Sequence, residues 1–188
     1  MANRNTQGFG LVPAGTLGQT PATSGTGKYK IDAGYATTIF HGGAVSSNAG
    51  YIVEGQGTAD NPMIGVLNGI FYNAATTLKP TFANFYKQPI TPANSEDVDA
   101  FVYDNPQQQY VVATDDSVAQ SGYLETYDMN TSAGSDTTGK SSATLDIGDT
   151  SADAASFRLL RSAEDPENDE NAAFRSVVVV PNLIELQS

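Results

Sequence analysis

Residues 174–180 read Phe-Arg-Ser-Val-Val-Val-Val (FRSVVVV), and Pro181 follows. Four consecutive β-branched side chains suit a pleated strand and are restricted in a helix. A run with no polar alternation predicts a strand buried on both faces. Proline cannot donate to a sheet ladder, so the strand stops at Pro181. Beyond it, Leu183, Ile184 and Leu186 close the chain with a further apolar patch.

Working back from that strand, 163–171 (AEDPENDEN) is a polar turn around Pro166, and 152–160 is a strand or one helical turn. Residues 143–147 (ATLDI) alternate like a half-buried strand, while 115–141, acidic and then rich in Ser, Thr and Gly, reads as a long exposed loop. Two β-rich runs, 100–104 (AFVYD) and 109–114 (QYVVAT), flank Asn105-Pro106-Gln107-Gln108, which predicts a hairpin. The strongest apolar stretch of the first half is 63–72 (MIGVLNGIFY). Its Gly65 and Gly69 argue against a helix and for a bent or bulged strand. Residues 28–40 suggest two short strands around Gly34, and 51–53 a third. Short strands at roughly ten-residue spacing predict an all-β domain, a small barrel or sandwich. No internal repeat and no amphipathic helix of useful length stands out.

Residues 1–27 differ in texture, being rich in Gly, Thr, Pro, Ala and Ser with Phe9, Leu11, Val12 and Leu17 scattered among them. A pure linker has no use for those apolar side chains. The expectation is an extended N-terminal arm over 1–27 that orders against something else, followed by a β-rich domain over 28–188.

Composition narrows the function. The chain has 188 residues, nine Lys and Arg against twenty-one Asp and Glu, and a net charge of −12. Such a chain repels phosphate and anionic lipid, so neither nucleic acid nor membrane is an expected partner. The start of the chain has no apolar run of signal-peptide length, and no stretch is long and apolar enough to span a bilayer, so it reads as soluble. The absence of Cys excludes disulfides, thiolate metal sites and Cys nucleophiles; a single His excludes a poly-imidazole zinc site. Residues 1–90 carry five basic and three acidic side chains, net +2, whereas 91–188 carry four basic and eighteen acidic, net −14. This asymmetry suits a protein with one part facing a partner and the other facing solvent.

Motifs for chemistry fail one by one. Gly27-Lys28 lacks the earlier glycine of a phosphate loop, where Ala22 stands, and its Ser or Thr, where Tyr29 stands. Gly8 and Gly10 lack the third glycine of a dinucleotide fingerprint, which would fall at Pro13. The run from Asp165 to Asn171 has Glu170 where a calcium loop needs Gly and Ser176 where it needs Glu, so it reads as a solvated acidic turn. His41, in a Gly-rich stretch without a nucleophile elbow, reads as an ordinary loop histidine. Asn130-Thr131-Ser132 fits a glycosylation sequon but lacks an export signal beside it. Tyr72, Phe82, Phe85 and Tyr86 read as core packing, with a sugar-stacking platform or protein interface as the alternative; the lack of Trp counts against a lectin. No catalytic residue, metal ligand or cofactor is expected.

The order of these pieces resembles a known family. A Gly/Thr/Pro-rich arm precedes an acidic β-domain with the Asp104-Asn105-Pro106 turn, Gln109-Tyr110-Val111-Val112, Arg158-Leu159-Leu160, the 164–169 turn and Phe174 through Asn182. The pattern, clearest over 98–188, is similar to the small head-decoration (cement) proteins of tailed bacteriophages, particularly marine ones. The resemblance implies a non-enzymatic virion protein on the outer surface of the capsid. Such a protein bridges major capsid subunits and stiffens the shell, as a homo-oligomer with a trimer favoured. On that reading Phe9, Leu11, Val12 and Leu17, with Tyr29, are the expected capsid contacts. The rival readings are a receptor- or carbohydrate-binding module of a phage fibre and, more remotely, a carboxylate-based glycosidase, for which abundant acids discriminate nothing.

Overall fold

The computed structural model describes residues 3, 5–18, 25–88, 90–131, 134–148, 155–164, 166–169 and 171–187. Several sequence expectations involve residues outside these: 19–24 of the arm, 152–154, Ser132 of the sequon, and Asp165 and Glu170 of the acidic turn. Among the described residues the protein is all-β. The strands are β1 (Val12–Thr16), β2 (Gly27–Ile31), β3 (Ala44–Asn48), β4 (Tyr51–Glu54), β5 (Gly65–Asn73), β6 (Pro80–Ala83) and β7 (Val98–Tyr103). They continue with β8 (Gln108–Ala113), β9 (Thr126–Tyr127), β10 (Met129–Asn130), β11 (Thr144–Leu145), β12 (Phe157–Ser162) and β13 (Ser176–Pro181). Three short 3-10 turns, Ala93–Ser95, Gln120–Gly122 and Glu185–Gln187, are the helical content described.

Two antiparallel sheets organise the chain. The first has the order β1-β8-β13-β12-β9. The second has the order β2-β7-β5-β3-β4, with β6 paired to the far end of β5. A small ribbon, β10-β11, lies beside them. The valine run forms β13 in the middle of the first sheet, and Val177 to Val180 are all buried, as its unalternating pattern requires. Its inward residues Val177 and Val179 join Tyr110, Val112, Tyr127, Phe157 and Leu159 in one core. Val66 of β5 and Ala44 of β3 enter this core from the second sheet and tie the two sheets together, and Met63, just before β5, joins them.

The second sheet encloses a core of its own. Ile31, Val45, Ile52, Leu67, Ile70, Val98, Ala100 and Val102 point to its inner side. The terminal strands β2 and β4 approach one another, so the sheet curls round that core. β5 is the bent strand that its glycines foretold. Its pairing with β7 shifts register between Leu67 and Gly69, with Asn68 as the extra residue. A side chain at Gly65 would overlap Tyr103 O, so the close approach of β7 requires glycine there.

Three expectations are corrected. The runs on either side of Asn105-Pro106 do not pair with each other. β7 lies between β2 and β5, and β8 between β1 and β13, so residues 104–107 turn a corner from one sheet to the other. The turn chemistry itself is present: Gln107 N donates to Asn105 Oδ1 (2.9 Å) and Gln108 N to Asn105 O (3.0 Å). Alternation says which residues share a face; here Val98, Ala100 and Val102 face one core, and Tyr110 and Val112 the other.

The stretch 115–141 is not simply an exposed loop, since Val118, Thr126, Tyr127 and Met129 are buried and β9 and β10 lie within it. The described part of 1–27 is docked on its own domain rather than extended away from it. Leu11 N donates to Gly42 O (2.8 Å), Gly10 N to Ala143 O (3.1 Å), and β1 pairs with β8. Gly10, at φ +75°, lets the chain run against Gly42. Here the small residues serve close packing rather than flexibility.

Candidate interaction surface

The five residues expected to contact a partner are placed very differently. Leu11 is 1% exposed in the first core and is closed to any partner in this fold. Phe9 is half-buried. Tyr29 is half-buried on the inner side of the second sheet. Its hydroxyl donates to Asp104 Oδ2 (2.7 Å). Burial, reinforced by that bond and the Asp104 charge, pushes the Tyr29 phenol up to about 12. Val12, at 46%, and Leu17, at 39%, are exposed. Of the five, Val12 and Leu17 are thus the exposed ones, while Leu11 and Tyr29 have internal partners.

Val12 begins a row. Directly opposed residues of antiparallel strands share a face. Val12 opposes Val111, Val111 opposes Val178, and Val178 opposes Arg161, across β1, β8, β13 and β12. The neighbours Val112, Val177 and Val179 point to the core, so this row lies on the outer face of the sheet. Val178 is nearly covered by its neighbours, Val111 is half-buried, and Val12 and Arg161 are exposed. Beside them Arg158 opposes Val180, and its guanidinium donates to Leu124 O (2.6 Å). The result is an apolar stripe with two arginines, built from Val12 and from residues of the acidic half of the chain. The edge of the sheet is blunted: β1 contains Pro13, which has no N–H, and its register shifts between Pro13 and Gly15. What this face offers is therefore side chains more than a free ladder of backbone groups.

The aromatic cluster is split by the fold. Tyr86 is 1% exposed and in the second core, and Tyr72 packs against that core. Phe85 stacks on Phe40 with ring centroids 5.8 Å apart. Phe82 is 63% exposed on the outer face of the second sheet, where it opposes Phe71. The same face carries Phe101, 6.2 Å from Phe82 between centroids. Lys28 (2.8 Å) and Lys30 (2.6 Å) both pair with Asp99 there. Burial by itself raises the Asp99 carboxyl, but the hydrogen bonds and charges of the two lysines outweigh it and hold the group below its usual range. Sequence reading missed β6 and with it this face; four residues starting at a proline carry almost no periodic signal.

The other motifs have structural roles. His41 Nδ1 lies 2.8 Å from Asn68 O, so the imidazole sits against the bulge of β5. In the acidic turn, Asn168 Nδ2 donates to Ser176 O (2.8 Å) and Ala163 O (3.1 Å), and Ser176 N returns a bond to Asn168 Oδ1 (2.8 Å). That side chain stitches β12 to β13 instead of facing a cation. Among the described residues no group of three or more His, Asp or Glu is placed to hold a metal ion. Comparison with protein-family models, with curated proteins and with solved structures finds no match for this chain.

Proposed function

We propose that the chain is a structural virion protein that binds the outer surface of a tailed-phage capsid. It stabilises the shell by bridging major capsid subunits, and it acts as a homo-oligomer, a trimer, without catalysis. The observation that carries this reading is the row Val12–Val111–Val178 with Arg161 and Arg158 beside it. A lattice-binding protein needs area and fit more than a pocket. A sheet face of valines and arginines offers both to an apolar surface with carboxylates on it. Many copies on one lattice make modest single contacts sufficient. The remaining acidic surface of 91–188 then faces solvent and keeps particles apart. The resemblance of 98–188 to head-decoration proteins supports the same reading and supplies the trimer.

Sedimentation with empty heads, built from the major capsid protein of the same phage, tests it. The protein is expected to pellet with the heads at a fixed stoichiometry. The double variant Val12→Asp/Arg161→Glu is expected to stay in the supernatant while unfolding at the same temperature as the parent. If the parent protein itself remains free of heads at micromolar concentration, the reading is wrong.

A further inference from the structure

The outer face of the second sheet has features that capsid binding does not use. Across β2, β7, β5 and β6, the residues Lys30, Asp99, Phe71 and Phe82 are aligned by direct cross-strand pairing. Phe82 is 63% exposed although it is a large apolar side chain. It rests on Gly69 of β5, where even a Cβ would come within 2.7 Å of its Cζ. The glycine therefore seats the ring on the sheet. Phe101 lies against it with centroids 6.2 Å apart. Phe71, opposite Phe82, also forms a wall of a cavity of about 250 Å³ whose other walls include Lys30, Asn73, Asp97 and Asp99. That is below the ~300–1,000 Å³ typical of drug-sized ligands and suits a single small ring.

We propose that this face is a binding site for a neutral saccharide. Phe71, the aromatic wall of the cavity, takes the C–H face of a sugar ring, Phe82 beside it extends that apolar surface outside the cavity, and Asp97, Asp99, Asn73 and Lys30 bond the hydroxyls. Carboxylates accept from hydroxyl groups, and the ammonium and amide donate to them. Two of the carboxylates are already oriented. Asp99 is held by Lys28 and Lys30, and Asp97 accepts from Tyr51 Oη (3.3 Å) and Ala33 N (3.4 Å). These bonds leave lone pairs over, since each carboxylate has about four acceptor positions. Glu96 also lines the cavity, so acids outnumber Lys30 and an anionic ligand is repelled. The two lysines already offset Asp99, so the site makes less demand for a cation than its acids alone suggest. A ligand with one apolar face and a rim of hydroxyls fits both halves of the site. This face belongs to a different sheet from the Val12 row, so the saccharide site stands or falls independently of head binding.

The test is a titration of the isotopically labelled protein with glucose, galactose, mannose and N-acetylglucosamine, followed through backbone amide shifts. Saturable shifts are expected in β5, β6 and β7 for at least one sugar, with a dissociation constant on the order of millimolar. Phe82→Ala and Asp97→Asn are each expected to weaken that binding at least about tenfold, and Phe82→Ala to unfold at the parent temperature. The Phe82 side chain is exposed, so its loss leaves the core intact. Several results overturn the proposal. One is the absence of saturable shifts with all of these sugars, and another is undiminished binding in Phe82→Ala. Phe82-dependent shifts with tetramethylammonium but with no sugar make the face a cation site. A solution mass that rises with concentration in the parent but not in Phe82→Ala, with no sugar response, makes it a contact between copies.

Discussion

Ala49 occupies the first position of the two-residue turn joining β3 to β4, where Asn48 opposes Tyr51. Its φ is 51° and that of Gly50 is 88°, the pattern of a type I′ hairpin turn. An L-residue with a Cβ is strained there, and asparagine tolerates the conformation better. Ala49→Asn is therefore expected to stabilise the protein by about 0.5–1 kcal/mol, read as a higher midpoint in urea with an unchanged slope. A sharper contrast lies between two neighbours. Leu11 and Val12 are adjacent apolar residues in the same Gly-rich stretch, yet one is 1% and the other 46% exposed. Leu11→Ala is expected to cost about 2–5 kcal/mol, because it leaves a cavity in the first core. Val12→Ser is expected to change stability by no more than about 0.5 kcal/mol. Equal effects in denaturant titrations contradict the placement of this segment. The contrast also bears on function. Removing residues 2–27 takes away part of the core, so point substitutions at Val12 are the cleaner probe of a partner contact.

At the scale of the element, β5 joins the two halves of the molecule. Leu67 and Ile70 face the second core, whereas Val66 reaches the first. The bulge at Asn68 gives the strand its bend, and Gly65 lets β7 come close enough to pair. Gly65→Ala puts a methyl group on Tyr103 O and is expected to cost roughly 1–3 kcal/mol through displaced backbone. Amide exchange should speed up along β5 and β7 while β12 and β13 stay protected. Uniform loss of protection, or none, contradicts this account. The 104–107 corner is the other decisive element. It sends β8 away from β7 and so allows β1 and β13 to flank it. The Val12–Val111–Val178 row exists because of that switch.

For the whole molecule, the net charge of −12 sets the response to salt and pH. Added salt screens the repulsion among the eighteen acids of residues 91–188, so the melting temperature is expected to rise from low to physiological ionic strength. Two sets of groups define the pH window. Asp99 has its folded pKa depressed, so its contribution is present above the ordinary aspartate value and is lost as pH falls through the folded one. Tyr29, pushed up to about 12, and Tyr110, raised by burial, act in the opposite sense. Their contributions are complete below the ordinary tyrosine value of about 10 and disappear as pH rises through the folded values. From these groups stability is thus expected to fall below the ordinary aspartate range and above about pH 10. Asp99→Asn should flatten the acid limb and Tyr29→Phe the alkaline limb in melts across pH. Limbs unchanged by these substitutions contradict the assignment.

The sequence by itself determined the all-β class, the central β13 and the bent β5. These follow from local chemistry: β-branched runs favour extended backbone, and glycine inside such a run marks a bulge or a close approach. It also carried the turn at Asn105, because an Asx side chain bonds its own backbone wherever the flanking strands go. Tertiary structure alone decided which sheet each strand joins, that Leu11 is core while Val12 is surface, and that Phe82 is exposed while Tyr86 is buried. Period-two patterning says which side chains share a face and is silent on what covers that face. Both candidate surfaces, the Val12 row and the Phe82 face, combine residues from four strands far apart in the chain. No local stretch of sequence contains either of them.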